Sequence, residues 1–519
     1  MDTLTIDLFG SGMGPLHRAG LGGLACTLKQ LDWPSDQWGI EDEGRKLKLS
    51  WPGGDKGARP FFQRLYEQAF DVKDGLIELP GAYATGVRLE VKAEFQRGMS
   101  ATILQFAPNR KARSKEPKIV KCEVDEHPLL VEHQDLVSYT HRTAWSNDLL
   151  NSQGVLKPIV TVSGTIAPGF SQRHVAHAST SVDVPVGHAI SLHFALVGTL
   201  SFTISGGGGS GALIIPDVQD LRSFIRRRPL MNPKDLKDCR ISNPAEGALE
   251  AQVRLQSIEA GLSSKVERCL AIRFASTQWN SKQKGRVSVL DVDPKGSELD
   301  LYHKVIGFEA LKPRVIEVKA EKKGDRPRKV LVNGILRGFI AENLAHHRPW
   351  YQGFRNLMVG SDGRHDKNKL GRLGFEREGL RQMVELPWED RGEETLVLAI
   401  HEAMRQQFGK LWDEVKKDKT TFGNRRSRKL ERWHLALAHA KTADDVRGAI
   451  SDIWGRAGQV PKLMESWREL LPILCDSKRW QLNRDLAILA LASYKGRETP
   501  ENPDGAGGES EANSNESQD

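Results

Sequence analysis

The sequence predicts an α+β protein: an irregular mixed N-terminal domain followed by a C-terminal all-α helical bundle. Three observations lead there. Through the first two-thirds, period-two apolar segments alternate with short helical ones; near residue 345 strand signals give way to three- and four-residue apolar spacing; after Arg497 the chain turns to Gly, Pro, Ser, Asn and acid. The expected boundaries are 1–345 for the mixed domain, 346–497 for the bundle and 498–519 for a disordered acidic tail.

The N-terminus reads as a strand, Leu4 to Phe9, because Leu4, Ile6 and Leu8 alternate with Thr5, Asp7 and Phe9. A glycine turn follows, and from Leu16 the spacing becomes helical, with Leu16, Gly20, Gly23, Leu24, Thr27 and Leu28 on one face. Each glycine inside a helix costs about 1 kcal/mol against alanine, so such a face is kept where another element must come close. Its spacing matches neither Gly-x-Gly-x-x-Gly nor Gly-x-x-x-x-Gly-Lys-Ser/Thr, which favours close packing over a nucleotide site.

Further strands are expected at Val87–Phe95, Thr102–Phe106, Lys118–Val124, Ile159–Val162, Ile190–Ile204, Leu213–Ile215, Cys269–Phe274, Val287–Val292 and Arg314–Ala320. Helices are expected at Pro60–Ala69, Val218–Arg227 and Ile335–His346. In the bundle, Val397, Ile400, Met404, Phe408, Leu411 and Val415 form one stripe along Leu396–Lys417. Thr442 and Asp445 approximate a capping box before Val446, Ile450, Ile453 and Trp454. Pro461–Leu471, ended by Pro472, and Leu482–Tyr494 complete the set.

At 519 residues the chain is long enough for two or three domains. No apolar run reaches the roughly 18 residues of a membrane span, and no secretory signal opens the chain. Five scattered cysteines without a Cys-x-x-Cys pair argue against a disulfide framework or a cysteine-rich zinc site and fit a cytoplasmic setting. Residues 500–519 hold six acids and no bases, so removing them from the net charge of +8 leaves +14 on the remainder. A body so basic draws polyanions, nucleic acid foremost.

Catalytic signatures fail in turn. His401-Glu402 lacks the second histidine of a zinc-protease motif, since position 405 is Arg. His174 and His177 have metal-ligand spacing but sit in loop-like sequence. No Gly-x-Ser-x-Gly elbow or paired acids appear, so neither a catalytic residue nor a cofactor or metal is assigned. The glycine run Gly206–Gly211 can approach a phosphate backbone or simply form a flexible loop, the favoured reading. Trp350, Tyr351 and Phe354 read first as interdomain packing and second as a base-stacking group. Basic clusters carry more. Asn109, Arg110, Lys111, Arg113 and Lys115 form a loop between strand candidates. Arg226–Arg228 end a helix, where they suit its C-terminal dipole. Lys322, Lys323, Arg326 and Arg328 fall at a hairpin tip, and Arg425, Arg426, Arg428, Lys429 and Arg432 are expected in a linker between two bundle helices. One such cluster is ordinary surface; four of them fit a long polyanion better.

The segment Pro15-Leu16-His17-Arg18-Ala19-Gly20-Leu21-Gly22-Gly23-Leu24 resembles the opening of the MYXAN-type, DevT-like large subunits of type I CRISPR Cascade complexes. Length, basic charge and domain order extend the resemblance over nearly the whole chain. It implies a non-catalytic subunit that recognises the motif flanking a target and helps hold the duplex open. Its implied partners are crRNA, target double-stranded DNA, and the backbone, crRNA-cap and small subunits of the complex. Depending on the system, a transposon targeting factor or a helicase-nuclease joins them; no membrane is involved. Motif reading is expected from the Arg110–Lys115 loop, and displaced-strand contacts from Arg425 to Arg432. The alternatives are a metal-dependent nuclease, a nucleotide-binding enzyme, or a protein-binding scaffold.

Overall fold

A computed structural model describes residues 2–83, 86–143, 145–163, 181–205, 209–256, 268–276, 287–318, 328–359, 372–416 and 418–496. They belong to two compact units, Met1–Trp350 and Tyr351–Asp519. None of the helices among these residues is long and apolar enough to cross a membrane.

The first unit mixes strands and helices throughout, and the second is helical, as the apolar spacing predicts. The first begins with β1 (Asp2–Asp7), α1 (Pro15–Gln30), β2 (Trp38–Glu41), β3 (Lys46–Trp51), α2 (Ala58–Ala69), β4 (Asp71–Lys73), β5 (Leu76–Glu78) and α3 (Leu89–Ala101). Next come β6 (Arg110–Ala112), β7 (Lys118–Val124), β8 (His127–His133), β9 (Leu136–Tyr139), α4 (Thr140–Thr143), α5 (Trp145–Asp148), β10 (Ile159–Ser163) and β11 (Ser181–Pro185). After α6 (Val186–His193) and α7 (Ala195–Gly198), a five-stranded sheet takes β12 (Leu200–Ile204), β13 (Gly211–Pro216), β14 (Arg240–Ile241), β15 (Cys269–Phe274) and β16 (Val287–Val292) in the order β14-β12-β13-β15-β16. Around it lie α8 (Leu221–Arg227), α9 (Pro244–Gln256), α10 (Gly296–Gly307), the hairpin β17 (Arg314–Val318) with β18 (Arg328–Val332), and α11 (Leu336–Ala345).

The glycine face of α1 is a packing surface. A Cβ on Gly20 would overlap the Ser191 carbonyl oxygen in α6, and one on Gly23 the Phe194 carbonyl oxygen before α7. Gly198 in turn leaves room only for the Ala19 carbonyl. Backbone thus lies on backbone, an approach that only hydrogen at Cα permits.

The five-stranded sheet is covered on both faces. Gly211 of β13 faces Ala101 and Thr102 at the end of α3, while Ile214, of opposite parity, meets Gly247 of α9. All six residues of β13 are buried.

Three strand expectations are overturned. Val87–Phe95 contains no strand; its residues enter α3, where Val91, Glu94, Phe95, Gly98 and Met99 form the buried face and Leu89 is 53% exposed. Alternation misled because the buried face includes a charge. Glu94 is held by Arg240 at 3.1 Å, Arg97 at 2.9 Å and the Thr203 hydroxyl at 2.5 Å. Burial opposes its ionisation, yet the two guanidiniums prevail and its pKa falls below the ordinary carboxylate value. Thr102–Phe106 forms turns, with Leu104 N–H donating to the Met99 carbonyl. Ile190–Ile204 divides into α6, α7 and β12, since an apolar run buried on all sides loses its periodicity.

Beneath α2 lies an aromatic core in which His141 and His193 sandwich Trp145, with ring centroids 3.7 and 4.2 Å away. The Tyr66 hydroxyl is 2.7 Å from His193 Nδ1. Burial depresses both imidazole pKa values, that of His193 to about 3, and the neighbouring His193 ring lowers that of His141 further. Because the folded values lie below the unfolded ~6.5, this core is stable above that pH and loses stability as pH falls through it. Each neutral imidazole is expected to cost about 1.4 kcal/mol at pH 5.5. Urea titrations of the full chain between pH 7.5 and 5.5 check this: His141→Phe should flatten the decline, and an unchanged slope would refute the assignment.

The second unit contains α12 (Arg377–Val384), α13 (Arg391–Glu414), α14 (Lys419–His439), α15 (Ala443–Gly455), α16 (Pro461–Glu465), α17 (Trp467–Cys475) and α18 (Trp480–Ser493). Val397, Ile400, Met404, Phe408 and Leu411 are all buried along α13. The α18 helix is the central element, buried from Asp485 through Leu491. The capping box of α15 is present: Asp445 N–H donates to Thr442 Oγ1 at 3.1 Å, and Thr442 N–H to Asp445 Oδ2 at 3.0 Å. Pro472 lies inside α17 instead of ending it.

Candidate nucleic-acid interface

The first basic cluster divides into an inward and an outward part. Asn109 is buried, and its carbonyl accepts from the Thr140 hydroxyl at 3.0 Å. Arg110 opens β6, which pairs with β9, and its guanidinium reaches Gln134 Oε1 at 3.3 Å. Burial lowers the Arg110 pKa. A register shift between Lys111 and Ala112 then turns the strand outward. Lys111 and Lys115 are exposed, and Arg113 is 71% exposed with Asp135 3.4 Å away. A pair in such a position holds its arginine weakly.

Past Lys115 the chain enters the β7–β8 hairpin, whose turn residues Asp125 and Glu126 have φ of 50° and 61°. This backbone suits a two-residue hairpin turn. Val120, Leu129 and Val131 bury one face of the hairpin, while Lys118, Ile119, Lys121 and Leu130 are exposed. Lys329 of β18 reaches His127 at this turn, with 3.4 Å between Nζ and Nδ1. The entry to β18 and the Lys111–Lys115 segment therefore occupy opposite ends of the β7–β8 hairpin, about 20 Å apart at the usual rise per strand residue. Arg328 is the first residue of β18, whereas Lys322, Lys323 and Arg326 lie outside the described residues. So do His174, His177 and Gly206–Gly208.

In the second unit the expected linker is helix. Arg425, Arg426, Arg428, Lys429 and Arg432 all lie within α14. A polar run after Gly423 and Asn424 reads as loop, yet two of its cationic head groups lie over aromatic rings here. The Arg426 guanidinium is 5.3 Å from the Phe408 ring centroid, and Lys429 Nζ is 5.6 Å from that of Trp433. Helical spacing sets Arg425, Arg428 and Arg432 along one exposed ridge with Lys429 at its flank. Among the described residues no carboxylate pairs with Arg425, Arg426, Arg428 or Lys429, and Arg432 has only Asp452 at 3.7 Å. Burial, with help from Arg432, lowers the Lys429 pKa.

Sequence reading missed Arg377 and Arg381 of α12. Burial lowers the Arg377 pKa first, and the positive charges of Arg381 and Arg426 lower it further. Their four-residue spacing on a helix was the available signal. Of the Arg226–Arg228 run, Arg228 is buried, donating to the carbonyls of Val197 at 2.7 Å, Thr199 at 2.6 Å and Ala82 at 3.2 Å. It ties loops together and is unavailable to a ligand in solution.

His401 is also structural: Nε2 lies 3.0 Å from the Ala490 carbonyl, and burial depresses its pKa to about 4. Glu402 accepts from Lys462 N–H at 2.7 Å and pairs with Arg405. The described residues contain no grouping of three metal-ligating side chains.

Each unit thus presents exposed cations to solvent, Lys111, Arg113 and Lys115 in the first and Arg425, Arg428 and Arg432 in the second. The family of DevT N-terminal domains matches residues 5–193, and that of DevT C-terminal domains residues 385–519. The CRISPR-associated protein Cas8a1/Csx13 of Myxococcus xanthus (strain DK1622) is 33% identical over 95% of this chain and 89% of its own length. The protein is thus a large subunit of a type I CRISPR Cascade complex. Within that class, the chain belongs to the DevT-like Cas8a1/Csx13 family.

Proposed function

We propose that this subunit reads the short motif flanking a DNA target through the Lys111–Lys115 segment and holds the displaced strand along the α14 ridge. It does so without breaking a bond, in complex with crRNA, the target duplex, and the backbone, cap and small subunits. The division 1–345 and 346–497 then separates motif reading from strand holding. In such assemblies guide pairing reads most of the sequence and the protein only a few groove edges. The observation that carries the proposal is the α14 ridge: closely spaced cations of which, among the described residues, only Arg432 has a carboxylate partner, Asp452 at 3.7 Å. Phosphates supply the missing charge, and their counterions are released on binding. Arg113, flanked by Lys111 and Lys115, suits groove edges because a guanidinium offers paired donors to guanine.

The test is target binding by the assembled complex across a salt series. Reversing Arg425, Arg428 and Arg432 to glutamate is expected to lower affinity at least tenfold at low salt. It should also flatten the salt dependence by a slope of about 2–3. Reversing Lys111, Arg113 and Lys115 should remove discrimination between flanking motifs while thermal stability holds. Arg110 is left out because its guanidinium is part of the fold. Unchanged affinity and slope in a normally folded ridge variant would refute strand holding. Cleavage in Mg²⁺ or Mn²⁺ that survives repurification would refute the non-catalytic reading.

A further inference from the structure

The ridge of α14 stands beside the origin of a strongly acidic segment of its own chain. The central helix α18 ends at Ser493, and the described residues end at Gly496. A Cβ built on Gly496 would lie 3.4 Å from Arg426 Nη2. The chain therefore leaves the bundle at one flank of the basic cluster. From Glu498 to Asp519 it carries seven carboxylates and neither Lys nor Arg.

We infer that residues 498–519 dock on the Arg425–Arg432 ridge, supplying in cis the negative charge that the ridge lacks. Charge complementarity is one support: Arg425, Arg428 and Lys429 have no carboxylate partner among the described residues, Arg432 has only Asp452 at 3.7 Å, and the segment from Glu498 carries acids without Lys or Arg. Reach is the other. Arg425 to Arg432 spans about 10 Å at the α-helical rise. Twenty-two residues can reach roughly 70 Å when extended. The whole ridge therefore lies within range of a segment tethered at Gly496. Tethering sets an effective concentration near the millimolar range, so weak individual pairs suffice for occupancy. The contact is electrostatic and is screened as salt rises.

Docking also has a consequence for the strand-holding role, and that consequence rests on the function proposed above. The acidic segment competes with any polyanion for the same cations. Stray nucleic acid bound only through phosphates is displaced, whereas a strand delivered by guide pairing prevails. The device raises selectivity without a contact to any base.

Two readouts separate docking from DNA binding. The first uses the full-length protein without nucleic acid, treated with a carbodiimide, which joins a carboxylate to a nearby amine. Peptide mapping is expected to find Lys429 coupled to Glu501, Asp504, Glu509 or Glu511 in low salt. That coupling should be lost in about 0.5 M salt. It should also be lost in a variant with these four acids changed to amides. No coupling at Lys429, alongside normal coupling at other lysines, would overturn the inference.

The second readout is affinity for single-stranded DNA. The amide variant, which keeps the chain length, is expected to bind 5- to 20-fold more tightly at low salt. The gain should vanish in the Arg425→Glu, Arg428→Glu, Arg432→Glu background. Equal affinity with and without the acids would overturn competition at the ridge. Coupling at Lys429 in a protein with no DNA affinity in either form would uphold the docking and refute the strand-holding proposal instead.

Discussion

Substituting valine for Gly20 or Gly23 is expected to unfold the first unit or to lower its stability by about 3–5 kcal/mol. The added carbons would have to occupy the positions of the Ser191 and Phe194 carbonyl oxygens. Overpacking against flexible side chains costs less, because a rotamer can change. Here the obstacle is the backbone of α6 and α7, so α1 has to move as a whole. Such a shift separates α1 from α8 as well, since Gly22 lies against the Phe224 ring. Gly39 is a control on the same unit: a Cβ there meets nothing within 4 Å, so Gly39→Ala should leave the fold intact. The check is chemical denaturation of the three variants. A Gly20→Val protein as stable as its parent would show that α1 does not pack this closely.

The second large effect is expected at Arg337. Its Nε lies 3.2 Å from Glu246 Oε1, its Nη2 pairs with Glu250, and all three side chains are almost fully buried. Arg254 also reaches Glu250, at 2.6 Å. Burial is the main influence on Glu246 and raises its pKa to about 7, against the lowering effect of Arg337. Arg337→Leu leaves Glu246 and Glu250 buried side by side without their principal cation. Breaking a buried pair in this way costs about 3–5 kcal/mol. The loss should depend on pH with a definite sign. With the guanidinium gone, Glu246 binds its proton still more tightly folded than unfolded. The variant is then most stable in acid and weakens as pH rises. Denaturation at pH 5.5 and 8.5 checks this: a deficit equal at both values would show that the carboxylates are not the cause.

Parts of this fold were legible because one-dimensional pattern and three-dimensional environment agreed. The α13 stripe, the α15 capping box and strands such as Lys118–Val124 each have one wet and one buried side, or a local hydrogen bond that marks an end. The close packing of α1 was legible too, since repeated glycine on one helix face has few other uses. For the interface, sequence located basic clusters but could not say which cations reach solvent. Arg110, Arg426 and Arg228 look alike in sequence. One is half-buried at a strand start, one lies over Phe408, and one is sealed among carbonyls.

Sequence alone therefore determined an α+β unit followed by helices, the basic character of the body and the acidity after Arg497. These are properties of composition and of periods spanning a few residues. Tertiary structure decided that Val87–Phe95 leads into a helix, because Arg240, 146 residues further along the chain, neutralises Glu94. It likewise decided that the Arg425–Lys429 run is a helical ridge, because Phe408 and Trp433 provide rings on which the side chains lie. The free energy of a buried charge or a stacked cation belongs to a pair of residues, and the partner is known only once the chain has folded.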